Sequence, residues 1–167
     1  MTHSGASSPR RSPAAASALT PRPPFRSQKF TRKNGLVWWN VRDGWPQISD
    51  AVVDWYGGRK RAYYAIRDAQ RDQLVLVRDD HRVFAVNDTL KPVRGRAKVV
   101  DRESGRTVFE KSYEVPANAS AEIGAVPFAG QGVLDIVYEQ GGMRATNRFL
   151  YGEPPFDLEK TKAWMRQ

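Results

Sequence analysis

Seven short stretches of strand-forming residues follow one another at even spacing from residue 74 onward, and no other feature restricts the fold so strongly. They occupy residues 74–78, 82–87, 94–101, 107–115, 119–126, 132–139 and 143–151. Turn-forming residues separate them, and Ser104-Gly105 and Gly141-Gly142 lie where tight hairpins would turn. This pattern is typical of an antiparallel β-sandwich, so we predict a mainly β, immunoglobulin-like fold.

Two helices are predicted on either side of these strands. Between residues 59 and 71, apolar side chains recur at the spacing of three and four that an amphipathic helix requires. They are Ala62, Tyr63, Ile66 and Ala69. After the last strand, glycine and proline break the chain at 152–155, and Asp157 is placed to cap a short C-terminal helix that carries Trp164.

An apolar run at residues 36–41 precedes the first helix and is ended by turn residues at 42–46. It does not alternate with polar residues, which favours a strand buried on both faces. Trp38 and Trp39 are neighbours in this predicted strand and would point to opposite faces, so they cannot both serve the same core.

The basic charge of the chain is concentrated at its beginning. Lys and Arg number 27 against 18 Asp and Glu, but residues 1–35 contain seven of the basic residues and no acidic one, which leaves 20 against 18 in the remainder. A nucleic-acid-binding domain would carry its positive charge on the folded part, so we expect no nucleic-acid partner.

Residues 1–25 hold five of the 11 prolines and no aromatic residue before Phe25, so we expect a disordered basic leader. An organelle transit peptide and a stretch without a structural role both fit this composition, whereas a secretory signal would need a longer apolar core. No apolar run approaches the ~18 residues of a membrane span. We therefore expect no membrane partner and a cytoplasmic location.

Few residues are available for common catalytic or metal chemistry. The chain has no cysteine and two histidines, His3 and His81, so we expect no His-based triad, no metal site and no cofactor. Asp43, Asp50 and Asp54 are close in sequence, and paired carboxyl groups can hydrolyse glycosides. The alternative is that these carboxylates cap turns and form ion pairs with Arg59 or Lys60.

Aromatic residues are unusually dense between positions 38 and 64. They are Trp38, Trp39, Trp45, Trp55, Tyr56, Tyr63 and Tyr64. Flat rings stack on the C–H faces of sugars, and Asn40 and Asp43 would bind hydroxyl groups, so this region is a candidate carbohydrate pocket. Packing into a core is the alternative interpretation of the same rings.

The same region resembles a known family. Residues 35–47, 49–56 and 60–63 look like the end of the catalytic barrel in glycoside hydrolase family 2, especially its β-mannosidase-like members. Residues 86–89, 115–118 and 152–157 look like parts of that family's C-terminal sandwich. The resemblance runs from about Phe25 to the C-terminus.

The resemblance implies a division of the chain into four parts. A leader at 1–25 precedes the end of an α/β barrel at 26–72, which comprises the strand at 36–41, a loop and the helix at 59–71. A β-sandwich at 73–152 and a tail with a short helix at 153–167 complete it.

The resemblance also implies a binding role without catalytic residues. The two catalytic glutamates of the family lie on earlier barrel strands, whereas the first glutamate of this chain is Glu103, so no residue here inherits either role. Trp39 matches the tryptophan at the floor of the family's sugar subsite, and Asn40, Asp43 and Trp45 match neighbouring positions.

The predicted function is the C-terminal portion of an exo-glycosidase acting on β-linked sugars. Carbohydrate is the expected ligand, and a complementary barrel-bearing chain or self-association is the expected protein contact. The leader has no counterpart in the family; a truncated gene, a fragmentary gene model or one member of a split enzyme would each account for it. A non-catalytic carbohydrate-binding or partner-binding sandwich is the alternative function.

Overall fold

A computed structural model describes residues 39–165 as two antiparallel sheets with a short helix before the first strand and another after the last. The predicted leader at 1–25, and residues 36–38 of the predicted first strand, lie outside the described residues. The elements, in chain order, are α1 (Arg61–Ala69), β1 (Gln73–Val77), β2 (Arg82–Asn87), β3 (Val93–Asp101), β4 (Thr107–Val115), β5 (Ala119–Ala125), β6 (Gly132–Gln140), β7 (Met143–Tyr151) and α2 (Leu158–Met165).

The strands form one sheet in the order β1-β2-β5 and a second in the order β4-β3-β6-β7. Every pairing between neighbouring strands is antiparallel. The predicted mainly β sandwich is therefore confirmed, and each of the seven predicted strands agrees with an observed strand to within one residue at either end. No closed barrel is present among residues 39–165.

The two sheets share one apolar core. Strand β3 alternates as a half-exposed strand should, with Val93, Ala97 and Val99 buried between exposed charged residues. Strands β1 and β2 are instead buried along almost their whole length. Their apolar runs therefore lack alternation, as expected of strands covered on both faces.

Polar side chains connect the sheets across this core. Gln140 on β6 accepts a hydrogen bond from the Tyr113 hydroxyl at 2.9 Å and donates one to the Val86 carbonyl on β2 at 2.9 Å. Asn147 on β7 donates to the Val75 carbonyl on β1 at 3.0 Å. Buried polar groups are costly unless they are hydrogen-bonded, so these contacts fix one relative position of the sheets. Burial also raises the pKa of the Tyr113 hydroxyl, which stays a donor.

Asn87 fastens the loop at the end of β2. Its side chain is fully buried, and its amide nitrogen donates to the carbonyls of Lys91 at 2.7 Å and Pro116 at 2.9 Å. Its amide oxygen accepts the backbone N–H of Thr89 at 3.0 Å. One side chain thereby joins its own loop to the turn between β4 and β5.

The C-terminal helix packs on the outer face of the four-stranded sheet. Trp164 is buried against Val133 and Leu150, and the Arg102 guanidinium donates to the Trp164 carbonyl at the end of the helix. The Asp157 carboxylate accepts the Lys160 backbone N–H at 2.8 Å, which is the predicted cap.

The described part of the predicted strand at 36–41 does not form a regular strand. Residues 39–41 lie outside any regular strand. The carbonyls of Asn40 and Val41 accept the backbone N–H groups of Val52 and Val53, and Arg42 forms an isolated parallel bridge with Val53. A barrel strand is normally hydrogen-bonded on both sides, whereas among the described residues this segment pairs only with Val52 and Val53. The first helix is shorter than the predicted 59–71, because Lys60 is still extended and α1 begins at Arg61.

Asn87→Ala should lower the free energy of unfolding by about 2–3 kcal/mol, because it removes a fully buried side chain that binds two backbone carbonyls and a backbone N–H. Urea denaturation followed by circular dichroism measures the change. Asn40→Ala, at an exposed asparagine, is the matched control and should stay within about 0.5 kcal/mol of the wild type. Equal effects of the two substitutions would contradict the role given to Asn87.

Candidate functional site

Residues 39–60, which we call the aromatic segment, fold back on themselves ahead of α1. Val53 forms a parallel bridge with Arg42 and an antiparallel bridge with Arg59, so three short stretches of backbone lie side by side. The turn between them is closed by Asp54, whose carboxylate accepts the Gly58 backbone N–H at 2.7 Å. A Cβ at position 58 would come too close to that carboxylate, so a larger residue there would have to displace the Asp54 side chain.

The burial pattern of this segment is reversed relative to a normal core. Only Asp43 and Ala51 are buried among residues 39–60. The large side chains lie outside: Trp39 is 81% exposed, Trp45 63% and Tyr56 81%. Exposed large apolar groups in a contiguous patch usually mark a binding surface, and here they are concentrated in one short stretch of chain.

The Asp43 carboxylate is the polar centre of the segment. The Ser49 hydroxyl and, at 3.5 Å, the Gln47 amide donate to Oδ1, while the Lys60 ammonium donates to Oδ2 at 3.1 Å. The same ammonium donates to the Ser49 carbonyl at 3.2 Å. A buried carboxylate is tolerated when it is paired and hydrogen-bonded in this way.

These contacts set the charge state of Asp43. The hydrogen bond from Ser49 is the main reason that the pKa of the carboxyl lies below its ordinary value; burial acts in the opposite direction, and Lys60 adds to the lowering. The group is therefore an ionised structural anion at neutral pH. A general acid would need a raised pKa instead.

The candidate carboxylates thus behave largely as turn caps and ion-pair partners. Asp43 pairs with Lys60, and Asp54 caps the turn at Gly58. Asp50 is exposed.

The four predicted sugar-binding residues are placed differently from one another. Trp39 and Trp45 present exposed rings, and Asn40 is exposed with its carbonyl accepting the Val52 backbone N–H at 3.3 Å. The peptide bond between Trp39 and Asn40 is cis. Asp43 is buried within the segment, where it contacts protein groups. Sugar binding by these residues remains a prediction.

Sequence reasoning did not single out Ser49 as a partner of Asp43. A serine in a polar turn has no distinguishing pattern, and the contact becomes visible only when the loop from 43 to 49 closes.

The described chain also has a concavity of about 700 Å³ on the four-stranded sheet, away from the aromatic segment in sequence. Three exposed arginines line it, and each forms an ion pair with a glutamate: Arg94 with Glu114, Arg96 with Glu110, and Arg144 with Glu139. Its charge is balanced by protein groups, so the aromatic segment is the better candidate site.

Residues 39–165 contain no group of three or more His, Asp or Glu side chains positioned to hold a metal ion. Within that same range, neither helix is long and apolar enough to cross a membrane.

Comparison with known proteins gives a structural likeness alone. No family model matches the sequence, and no curated protein matches it either. The fold is similar to part of the crystal structure of the exo-chitosanase CsxA from Amycolatopsis orientalis, with a TM-score of 0.58 and 19% sequence identity. The match covers 71% of this chain and 15% of the exo-chitosanase. The β-sandwich is thus glycoside hydrolase-like in fold, and the chain spans a small part of the protein that it resembles.

Replacing Asp43 with asparagine should remove a pH-dependent contribution to stability. Because folding lowers the pKa of Asp43, its ionised form stabilises the fold above the ordinary value near 3.8, and this contribution is lost as the pH falls through the folded-state pKa. The difference in unfolding free energy between wild type and Asp43→Asn should therefore be largest near pH 7 and shrink below pH 3.8.

Urea unfolding at a series of pH values, followed by tryptophan fluorescence, measures this difference. Three of the four described tryptophans lie in the aromatic segment, so the signal reports on it: Trp39, Trp45 and Trp55. A difference that stays constant from pH 7 to pH 3 would show that the charge of Asp43 contributes nothing.

Proposed function

We propose that this chain is the C-terminal portion of a family 2 exo-glycosidase that acts on β-linked sugars, with the aromatic segment as one wall of its sugar pocket. The observation that carries the proposal is the exposed ring of Trp39 on a segment held by a buried carboxylate. The glycoside hydrolase-like fold of the following sandwich supports it.

The exposed side chains have the chemistry that a sugar needs. A tryptophan face offers a large flat apolar surface, which suits the C–H face of a pyranose ring, and Trp39 and Trp45 each present one. The exposed Asn40 amide beside Trp39 supplies both a donor and an acceptor for hydroxyl groups. An apolar platform with a few polar groups at its margin is the usual composition of a ligand site.

Catalysis needs groups that this chain does not supply. Retaining hydrolysis uses two carboxyl groups about 5–5.5 Å apart on either side of the scissile bond. Asp43 is committed to Lys60 and Ser49, and the first glutamate, Glu103, pairs with Lys160 of the C-terminal helix. The carboxyl pair would therefore come from a barrel on another chain or another part of the protein.

Such a barrel is also the proposed protein contact of the aromatic segment. Val41 and Ile48 are exposed alongside the tryptophans, and apolar surface of this kind normally packs against another surface. In the absence of a barrel, the same surface would favour self-association.

A non-catalytic carbohydrate-binding module is the second candidate function. The observation that favours it is that Trp39 and Trp45 are already exposed in this chain by itself, so a sugar can reach them without a barrel.

Binding of β-linked oligosaccharides to the full chain tests the proposal. Manno-, gluco- and glucosamine oligomers are titrated by isothermal calorimetry, and at least one series should bind. Trp39→Ala should weaken that binding by at least about tenfold, because a tryptophan at the centre of a binding surface contributes about 2 kcal/mol or more.

Leu90→Ala is the control, since Leu90 is an exposed large apolar residue in the loop between β2 and β3, outside the aromatic segment. The affinity of this control variant for oligosaccharides should equal that of the wild type. Failure of every oligosaccharide to bind, or equal losses in the two variants, would contradict the proposed pocket.

A further inference from the structure

We propose that Lys60 is the positioning residue of the aromatic segment: its side chain closes the loop that carries Trp45 and so keeps the exposed rings in a fixed arrangement. The identity of the ligand, a saccharide, rests on the proposed function. The positioning contact itself does not.

Lys60 reaches three separate points of the segment. Its ammonium group donates to the Asp43 carboxylate at 3.1 Å and to the Ser49 carbonyl at 3.2 Å, across 17 and 11 residues of sequence. Its backbone N–H donates to the Val52 carbonyl at 3.0 Å. Lys60 also immediately precedes α1, so it connects the segment to the start of that helix.

Two of these points are the ends of one loop. Asp43 begins the loop and Ser49 ends it, and the ammonium of Lys60 contacts both. Between them lie Trp45 and Ile48, whose side chains are exposed and so gain no fixed position from burial. Closure of the loop at its base is therefore what limits the positions that the Trp45 ring adopts.

Apolar burial contributes little to holding the segment, which otherwise depends on backbone hydrogen bonds. Among residues 39–60 only Ala51 and Asp43 are buried, so no apolar core replaces the ion pair. If the ammonium is removed, the buried carboxylate keeps only the Ser49 and Gln47 donors, and an unneutralised buried charge favours opening of the loop toward water.

Amide hydrogen exchange by NMR on the full chain, without any ligand, tests the proposal. Lys60→Met preserves the length of the side chain and removes its charge. It should raise the exchange rates of the Asp43 and Val53 amides, which are hydrogen-bonded within the segment, by about tenfold or more, since a hydrogen bond to a charged group contributes at least a factor of ten.

Lys60→Arg restores a cation and should keep the wild-type rates. Lys162→Met makes the same chemical change at an exposed ion pair on α2 and should leave the segment unaffected. The amides of β6 serve as an internal reference and should not change in any variant.

The proposal is overturned if Lys60→Met leaves the Asp43 and Val53 amides as protected as in the wild type. It is also overturned if the β6 amides lose protection to the same extent, because Lys60 would then support the whole fold. Where the wild type binds a saccharide, Lys60→Met should weaken that binding and Lys60→Arg restore it. Where it binds none, the proposed function fails while the exchange rates still decide the role of Lys60.

Discussion

The two sheets of the sandwich pack face to face around one apolar core. Val75 and Val86 of one sheet and Val99 and Ile136 of the other belong to a single buried cluster. Such burial supplies most of the driving force for folding, but it does not by itself define one relative position of the two sheets. The Gln140 side chain, which links Tyr113 to the Val86 carbonyl, supplies directional bonds that do. The sandwich thus combines an apolar core with directional hydrogen bonds, and α1 and the aromatic segment precede it in the chain.

The aromatic segment has the opposite arrangement, with polar groups inside and apolar groups outside. Its interior is an ion pair between Asp43 and Lys60, and its largest apolar groups, Trp39 and Trp45 among them, face outward. Exposing these rings to water lowers the stability of the segment. A binding surface requires such exposure, whereas a core avoids it. In the proposed function, the buried carboxylate holds the loop and the exposed rings contact the sugar.

The sandwich could be predicted from the sequence because its signals are local. Strand β3 and the first half of β7 alternate with a period of two, and Gly141-Gly142 marks the hairpin between β6 and β7. The aromatic segment could not be predicted to the same depth, because its decisive contacts are distant in sequence. The contact between Asp43 and Lys60 spans 17 residues, and the sequence offered Lys60 only as one of two possible partners for three aspartates. The exposure of Trp39 could not be predicted from the sequence either, since tryptophan is found both in cores and in sugar pockets.

In the proposed function, the buried Asp43 carboxylate organises a binding surface and performs no chemistry. Hydrolysis of aryl β-mannosides, β-galactosides and β-glucuronides by the purified chain tests this most directly. We expect release of the aryl group at the rate of buffer alone, in the wild type and in Asp43→Asn alike. Turnover by the wild type that disappears in both Asp43→Asn and Asp50→Asn, with the fold intact by circular dichroism, would contradict it.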